Sequence, residues 1–169
     1  SKNLKNKDLC KIRTITSFLT LTKDKTTWAE KIKEASLFGG DLAEKFHLCG
    51  YTVQSIRIVT NAFGEYLDTR SLENAIEDMQ YLSDILQSDT MPNIRIRFAI
   101  GEAKTIQEIQ MLPTLVKEFG DLCNVCVNIG VDFLGVPNAN LTYECAKVVK
   151  EIAQTTPNGE GNFNFTINY

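Results

Sequence analysis

Five stretches of this chain alternate apolar and polar residues with a period of two, and a segment with helical spacing separates each consecutive pair. The order β-α-β-α-β-α-β-α-β points to an α/β fold of repeated β-α units around a parallel five-stranded sheet. The first strand is expected over "CKIRTITSFLTL", Cys10 to Leu21. Thr26 or Thr27 then caps an amphipathic helix running through Trp28, Ile32 and Leu42 to about Cys49, with Gly50 just past its end. Gly39-Gly40 inside that helix costs about 1 kcal/mol per glycine relative to alanine, which implies either a break or close packing on the sheet.

The second strand is expected over 52–61, and Ser71 as N-cap of the helix "LENAIEDMQYLSDILQS". A third strand over 94–101 leads into a helix from Ile106 to Phe119. "CNVCVNIG" reads as the fourth strand, Thr142 to Gln154 as the last helix, and "NFNFTINY" as the fifth strand. Right-handed crossovers put the helices on one side of a curled sheet, or on both sides of a doubly wound one. There is no linker, low-complexity segment or internal repeat, so residues 1–169 read as a single domain or a part of one.

Strands buried on both faces usually read as continuous apolar runs. These strands are two-faced instead. In the fifth, Phe163, Phe165, Ile167 and Tyr169 oppose Asn162, Asn164, Thr166 and Asn168. In the third, Ile94, Ile96, Phe98 and Ile100 oppose Asn93, Arg95 and Arg97; in the fourth, Cys123, Val125, Val127 and Ile129 oppose Asn124, Cys126 and Asn128. The second strand is the least regular, with Gln54, Ile56 and Ile58 against Ser55 and Arg57.

A polar, arginine-bearing face opposite the helices suits the wall of a hydrated chamber that takes an anion, since a guanidinium grips a carboxylate or phosphate through two hydrogen bonds. The alternative is a face that is simply solvated or covered by further chain. On the first reading Arg57, Arg95 and Arg97 are the anion contacts, and Cys126, Asn128, Asn162 and Asn164 line the chamber.

Ligands of α/β sheets collect beyond the carboxyl ends of the strands. Glu65, Glu102 and Asp132 follow those ends, and Glu102 and Asp132 are the general acid-base candidates; the competing role for such carboxylates is helix capping. "GVDFLGVPNAN" is rich in Gly and Asn but is neither a dinucleotide nor a Walker loop. The only histidine, His47, sits near a helix end, and no metal site is expected. The cofactor is left unknown. In a strand, Cys123 and Cys126 point to opposite faces with Cα atoms about 10 Å apart at about 3.3 Å per residue, beyond the roughly 7 Å that a disulfide tolerates. The C-x-x-C is then neither a redox pair nor half a zinc site.

A formal charge of −3 with dispersed Lys and Arg argues against a nucleic-acid partner. No apolar run approaches the roughly 20 residues that span a bilayer, so no membrane partner is expected, and "SKNLKNKD" lacks a signal peptide's apolar segment. Five irregularly spaced cysteines suit reduced thiols and a cytoplasmic location. A homo-oligomer is compatible with the sequence. The start at Ser1 and the stop inside an alternating pattern raise the expectation that neighbouring sequence is missing.

The segments "KIRTIT", "LCGYTVQSIRIVTNAFGEYL", "VCVNIG" and "NGEGNFNF" resemble the N-terminal part of the domain of unknown function 711 family, an uncharacterised protein family. The resemblance spans nearly the whole chain, and its motifs are diffuse rather than catalytic. It implies a fold similar to the pyruvate formate-lyase-like barrel, of which five strands would form one half, and therefore an N-terminal half of a larger barrel domain. It implies no settled activity. No glycyl-radical loop is identifiable here, and radical chemistry is not carried over. The functional expectation is binding of a small anionic metabolite in the barrel interior, with its transformation left open; the alternative is a non-catalytic scaffold or regulatory subunit with a filled barrel.

Overall fold

In the computed structural model, which describes residues 11–169, the expected order of elements is present. Cys10 lies outside the described residues. The strands are β1 (Ile15–Leu19), β2 (Ile56–Thr60), β3 (Ile96–Glu102), β4 (Asn124–Asn128) and β5 (Phe165–Asn168). The helices are α1 (Trp28–Leu48), α2 (Leu72–Leu86), α3 (Ile106–Phe119) and α4 (Ala139–Thr155). All four strand pairings are parallel, and the spatial order is β1-β2-β3-β4-β5.

That order decides where the helices go. When each crossover joins adjacent parallel strands in the same direction, a right-handed connection always returns on the same side of the sheet. Successive helices accordingly pack against one another, α1 on α2, α2 on α3 and α3 on α4, as one layer. The sheet face beneath them carries Ile58, Phe98, Ile100, Val125, Val127 and Phe165, all buried in one apolar core with helix residues such as Ile32, Met79, Leu112 and Ile152.

Local chemistry starts and stops the helices. Ser71 accepts from the Asn74 amide, as its position predicts. Thr105 and Glu108 form a reciprocal capping box on α3, and Asn138 caps α4. The first helix departs from expectation: Asp24, not Thr26 or Thr27, supplies the capping oxygen, to the Thr26 amide at the head of a short 3-10 turn over Lys25–Thr27. Its Gly39-Gly40 pair marks close packing rather than a break, because α1 is continuous. A Cβ on Gly39 would come within 3.2 Å of the Ile56 side chain, and one on Gly40 within 2.8 Å of Pro92.

All five strands start later than the alternation predicts. β2 begins at Ile56, and Gln54 is exposed while Ser55 is buried with its hydroxyl donating to the Arg13 carbonyl, reversing the expected pair. β5 is the larger correction. Residues Pro157–Asn164 form a 3-10 segment that turns through positive φ at Asn158 and Gly159, so Asn162 and Asn164 precede the strand. Asn162 docks on α4 by donating to the Val149 carbonyl.

One irregularity bears directly on the site. Between β3 and β4 the register runs Ala99 to Asn124, Gly101 to Val125 and Glu102 to Cys126, so three steps on β3 face two on β4. Ile100 is the residue left without a partner on β4, and Gly101 beside it takes φ +81°, where a Cβ would lie 2.3 Å from the Asn61 carbonyl oxygen. The bulge reverses the parity of β3, so that Glu102 leaves the helix-covered side and joins Cys126 on the open one. Gly101→Ala is therefore expected to destabilise the fold by about 2–3 kcal/mol, through strain plus overlap. A denaturant titration of the two proteins measures it; an unchanged midpoint would mean that the bulge is not held this way.

Candidate functional site

The open face of the sheet is laid out in rungs by the parallel register. The lowest runs Thr16, Arg57, Arg97 across β1, β2 and β3. Above it lie Phe18, Val59, Ala99 and Asn124. Beyond the Gly101 bulge come Glu102, Cys126 and Thr166, and then Asn128 beside Asn168, whose amide donates to the Asn128 side-chain oxygen at 2.9 Å.

Arg57 and Arg97 are Cα partners, so two guanidinium stems start about 4.8 Å apart on the same face. The Nε of each is shut off from solvent without a hydrogen-bond partner, and neither arginine takes part in an ion pair among the described residues. Two like charges side by side without a counter-charge are unfavourable unless an anion lies over them. Arg95 differs from its neighbours: its guanidinium is ion-paired with Asp121, on the turn before β4. Its charge is already answered within the chain.

The carboxylates sort in the same way. Glu65 accepts from Asn61 and pairs with Lys104 at 2.8 Å, and those bonds, the Lys104 contact foremost, hold its pKa below the usual range of a glutamic acid. Such a group is a poor base. Asp132 receives the amides of Leu134 at 2.8 Å and Val136 at 2.9 Å, so its carboxylate helps build the loop over 131–137. That loop exposes Val131, Phe133, Leu134 and Val136. Glu102 alone of the three has no side-chain hydrogen bond or ion pair among the described residues.

Register thus brings Glu102, Cys126 and Asn128 together at the carboxyl end of the open face, and Arg57 with Arg97 at its amino end. The two groups are separated by about two rungs, about 13 Å along the strands. Asn164 lines a pocket of about 410 Å³ with Arg97, Lys117, Asp121 and Glu160 below the sheet. Asn162 stands apart from both groups, held on α4. Asn168 belongs to the site by its bond to Asn128 and was legible as the last polar residue of the alternation. Asn61 was not singled out, although it ties the end of β1 to the end of β2, with its side chain bonded to both the amide and the carbonyl of Leu21.

The two cysteines of C-x-x-C stand on opposite sides of the sheet, and neither is in a disulfide. Cys123 is in the core, where burial pushes its thiol up to about 12. Cys126 is half-buried on the open face, and its thiol is also raised, first by burial and then by the negative charge of Glu102. No cluster of three or more His, Cys, Asp or Glu among the described residues is arranged to hold a metal ion. No helix among them is long and apolar enough to cross a membrane.

A known protein family, described as Uncharacterised ACR (DUF711), matches residues 3–169. No curated protein matches the chain.

Because Glu102 raises the Cys126 thiol, Glu102→Gln lowers that pKa, increases the thiolate fraction at a given pH and speeds alkylation. Peptide-resolved mass spectrometry after iodoacetamide treatment at about pH 8 is expected to show Cys126 modified several-fold faster in the variant, with Cys123 protected in both proteins. Equal Cys126 rates would place the Glu102 carboxylate away from the thiol.

Proposed function

The chain belongs to the Uncharacterised ACR (DUF711) family, and on that premise we propose that it binds a small anionic metabolite on the open face of its sheet. The reading is carried by the Arg57–Arg97 pair, two adjacent guanidiniums without a counter-charge among the described residues. Charge-assisted and bidentate hydrogen bonds to a carboxylate or phosphate would satisfy them together. Any transformation of the ligand falls to Glu102, the unpaired carboxylate at the carboxyl end of the same face, with Cys126, Asn128 and Asn168 around it. Sequential strand order with one helix layer supports the further proposal that this sheet is half of a pyruvate formate-lyase-like barrel, with the open face turned to the interior. A cytoplasmic location fits the free cysteines.

A second reading has one observation in its favour. Phe18 on β1 is 82% exposed on the same face, which suits an interior filled by protein side chains and a scaffolding or regulatory role.

Calorimetric titration of the full-length protein with a library of small carboxylates and phosphates separates the two. Arg57→Ala and Arg97→Ala are each expected to weaken binding at least about tenfold, since a hydrogen bond to a charged group contributes about 1.5–3 kcal/mol. Arg95→Ala is expected to change it less than about threefold, its charge being neutralised by Asp121. Binding undiminished in both Arg57→Ala and Arg97→Ala would end the anion assignment and favour the filled interior.

A further inference from the structure

Resting on the proposed anion site, we infer that the ligand is an elongated molecule with a single acid group: that group at one end, an apolar chain, and a neutral hydrogen-bond donor or a cation at the other. The order of the rungs carries the inference. The cationic rung of Arg57 and Arg97 lies at the amino end of the open face. Directly above it are Phe18, Val59 and Ala99, which offer a polar ligand group nothing to bond, with Asn124 at the end of the rung donating its side-chain amide to the Phe98 and Asp121 carbonyls. The rung above those brings Glu102 beside Cys126, and the Gly101 bulge is what turns that carboxylate onto this face.

Positive charge at one end, apolar surface between and negative charge at the other is a template with a direction. A compact anion such as phosphate would use only the first rung. A dicarboxylate would span the strip but set its second carboxylate against Glu102, and like charges repel. An ω-hydroxy or ω-amino acid fits all three rungs. Two rungs measure about 13 Å, which with bonds of about 1.5 Å and the reach of the arginine side chains accommodates a chain of roughly six to ten carbons. The apolar strip supplies the affinity that grows with length, and the two charged ends set the orientation.

Calorimetry on the full-length protein tests this with three sets of probes: acetate and phosphate, straight-chain ω-hydroxy acids of graded length, and the matching dicarboxylates. Affinity for the hydroxy acids is expected to rise about threefold per methylene and to level off beyond roughly ten carbons. At equal length the hydroxy acid is expected to bind at least about fivefold more tightly than the dicarboxylate, with Glu102→Gln narrowing the gap. Val59→Asn is expected to flatten the dependence on length while leaving acetate and phosphate unaffected; should that variant fail to fold, the wild-type series decides alone. If the short anions bind through Arg57 and Arg97 but affinity is flat with length, the elongated class is wrong and the anion site stands. If no probe of any length binds, both fall.

Discussion

The structure depends on one chiral constraint. Each right-handed crossover joins a strand to its immediate parallel neighbour, so every helix returns to the same side of the sheet. Burial follows from that. One sheet face and the inner faces of α1 to α4 form a single apolar core, closed tightly enough that Gly39 and Gly40 are needed where α1 meets Ile56 and Pro92. The other face receives no helix from the described residues, and none of its polar residues is fully buried, although the Nε atoms of Arg57 and Arg97 are shut off from solvent without partners. A doubly wound order would have covered both faces and turned Arg57 and Arg97 into buried, unpaired cations.

Within that frame, charge is distributed by register. Parallel pairing at equal height puts Arg57 beside Arg97, while the bulge at Ile100 and Gly101 shifts the upper half of β3 by one residue and brings Glu102 out beside Cys126. The same sheet therefore presents cations near its amino end and an acid near its carboxyl end. Several charges that lie off these rungs have partners of their own: Arg95 with Asp121, Glu65 with Lys104, Asp68 with Arg70.

Much of the fold could be read from alternation. The inward faces of β3 and β4 are the residues expected, and the separation of Cys123 from Cys126 follows from the period of a strand. The fifth strand was overextended because alternating Asn and Phe residues look the same to a period count whether the backbone is extended or turned. The turn at Asn158 and Gly159 is visible only in the dihedral angles. Arg95 and Asp132 are engaged within the chain, and the sequence hid this for another reason. The partner of Arg95 lies 26 positions away, and the Asp132 carboxylate is satisfied by amides of its own loop, so neither fate is visible in residue type.

Sequence by itself determined the element order, the parallel class of the sheet and which side of most strands is apolar, because those follow from local periodicity and from the length that a parallel crossover requires. Tertiary structure decided which charges remain unanswered. Arg57, Arg95 and Arg97 are the same residue type at the same parity, and Glu65, Glu102 and Asp132 all follow strand ends. Only the spatial register and the bulge at Gly101 distinguish an ion-paired or loop-bound group from an open one. Whether a charged side chain has a partner depends on atoms within a few ångströms of it, and those atoms come from distant parts of the chain.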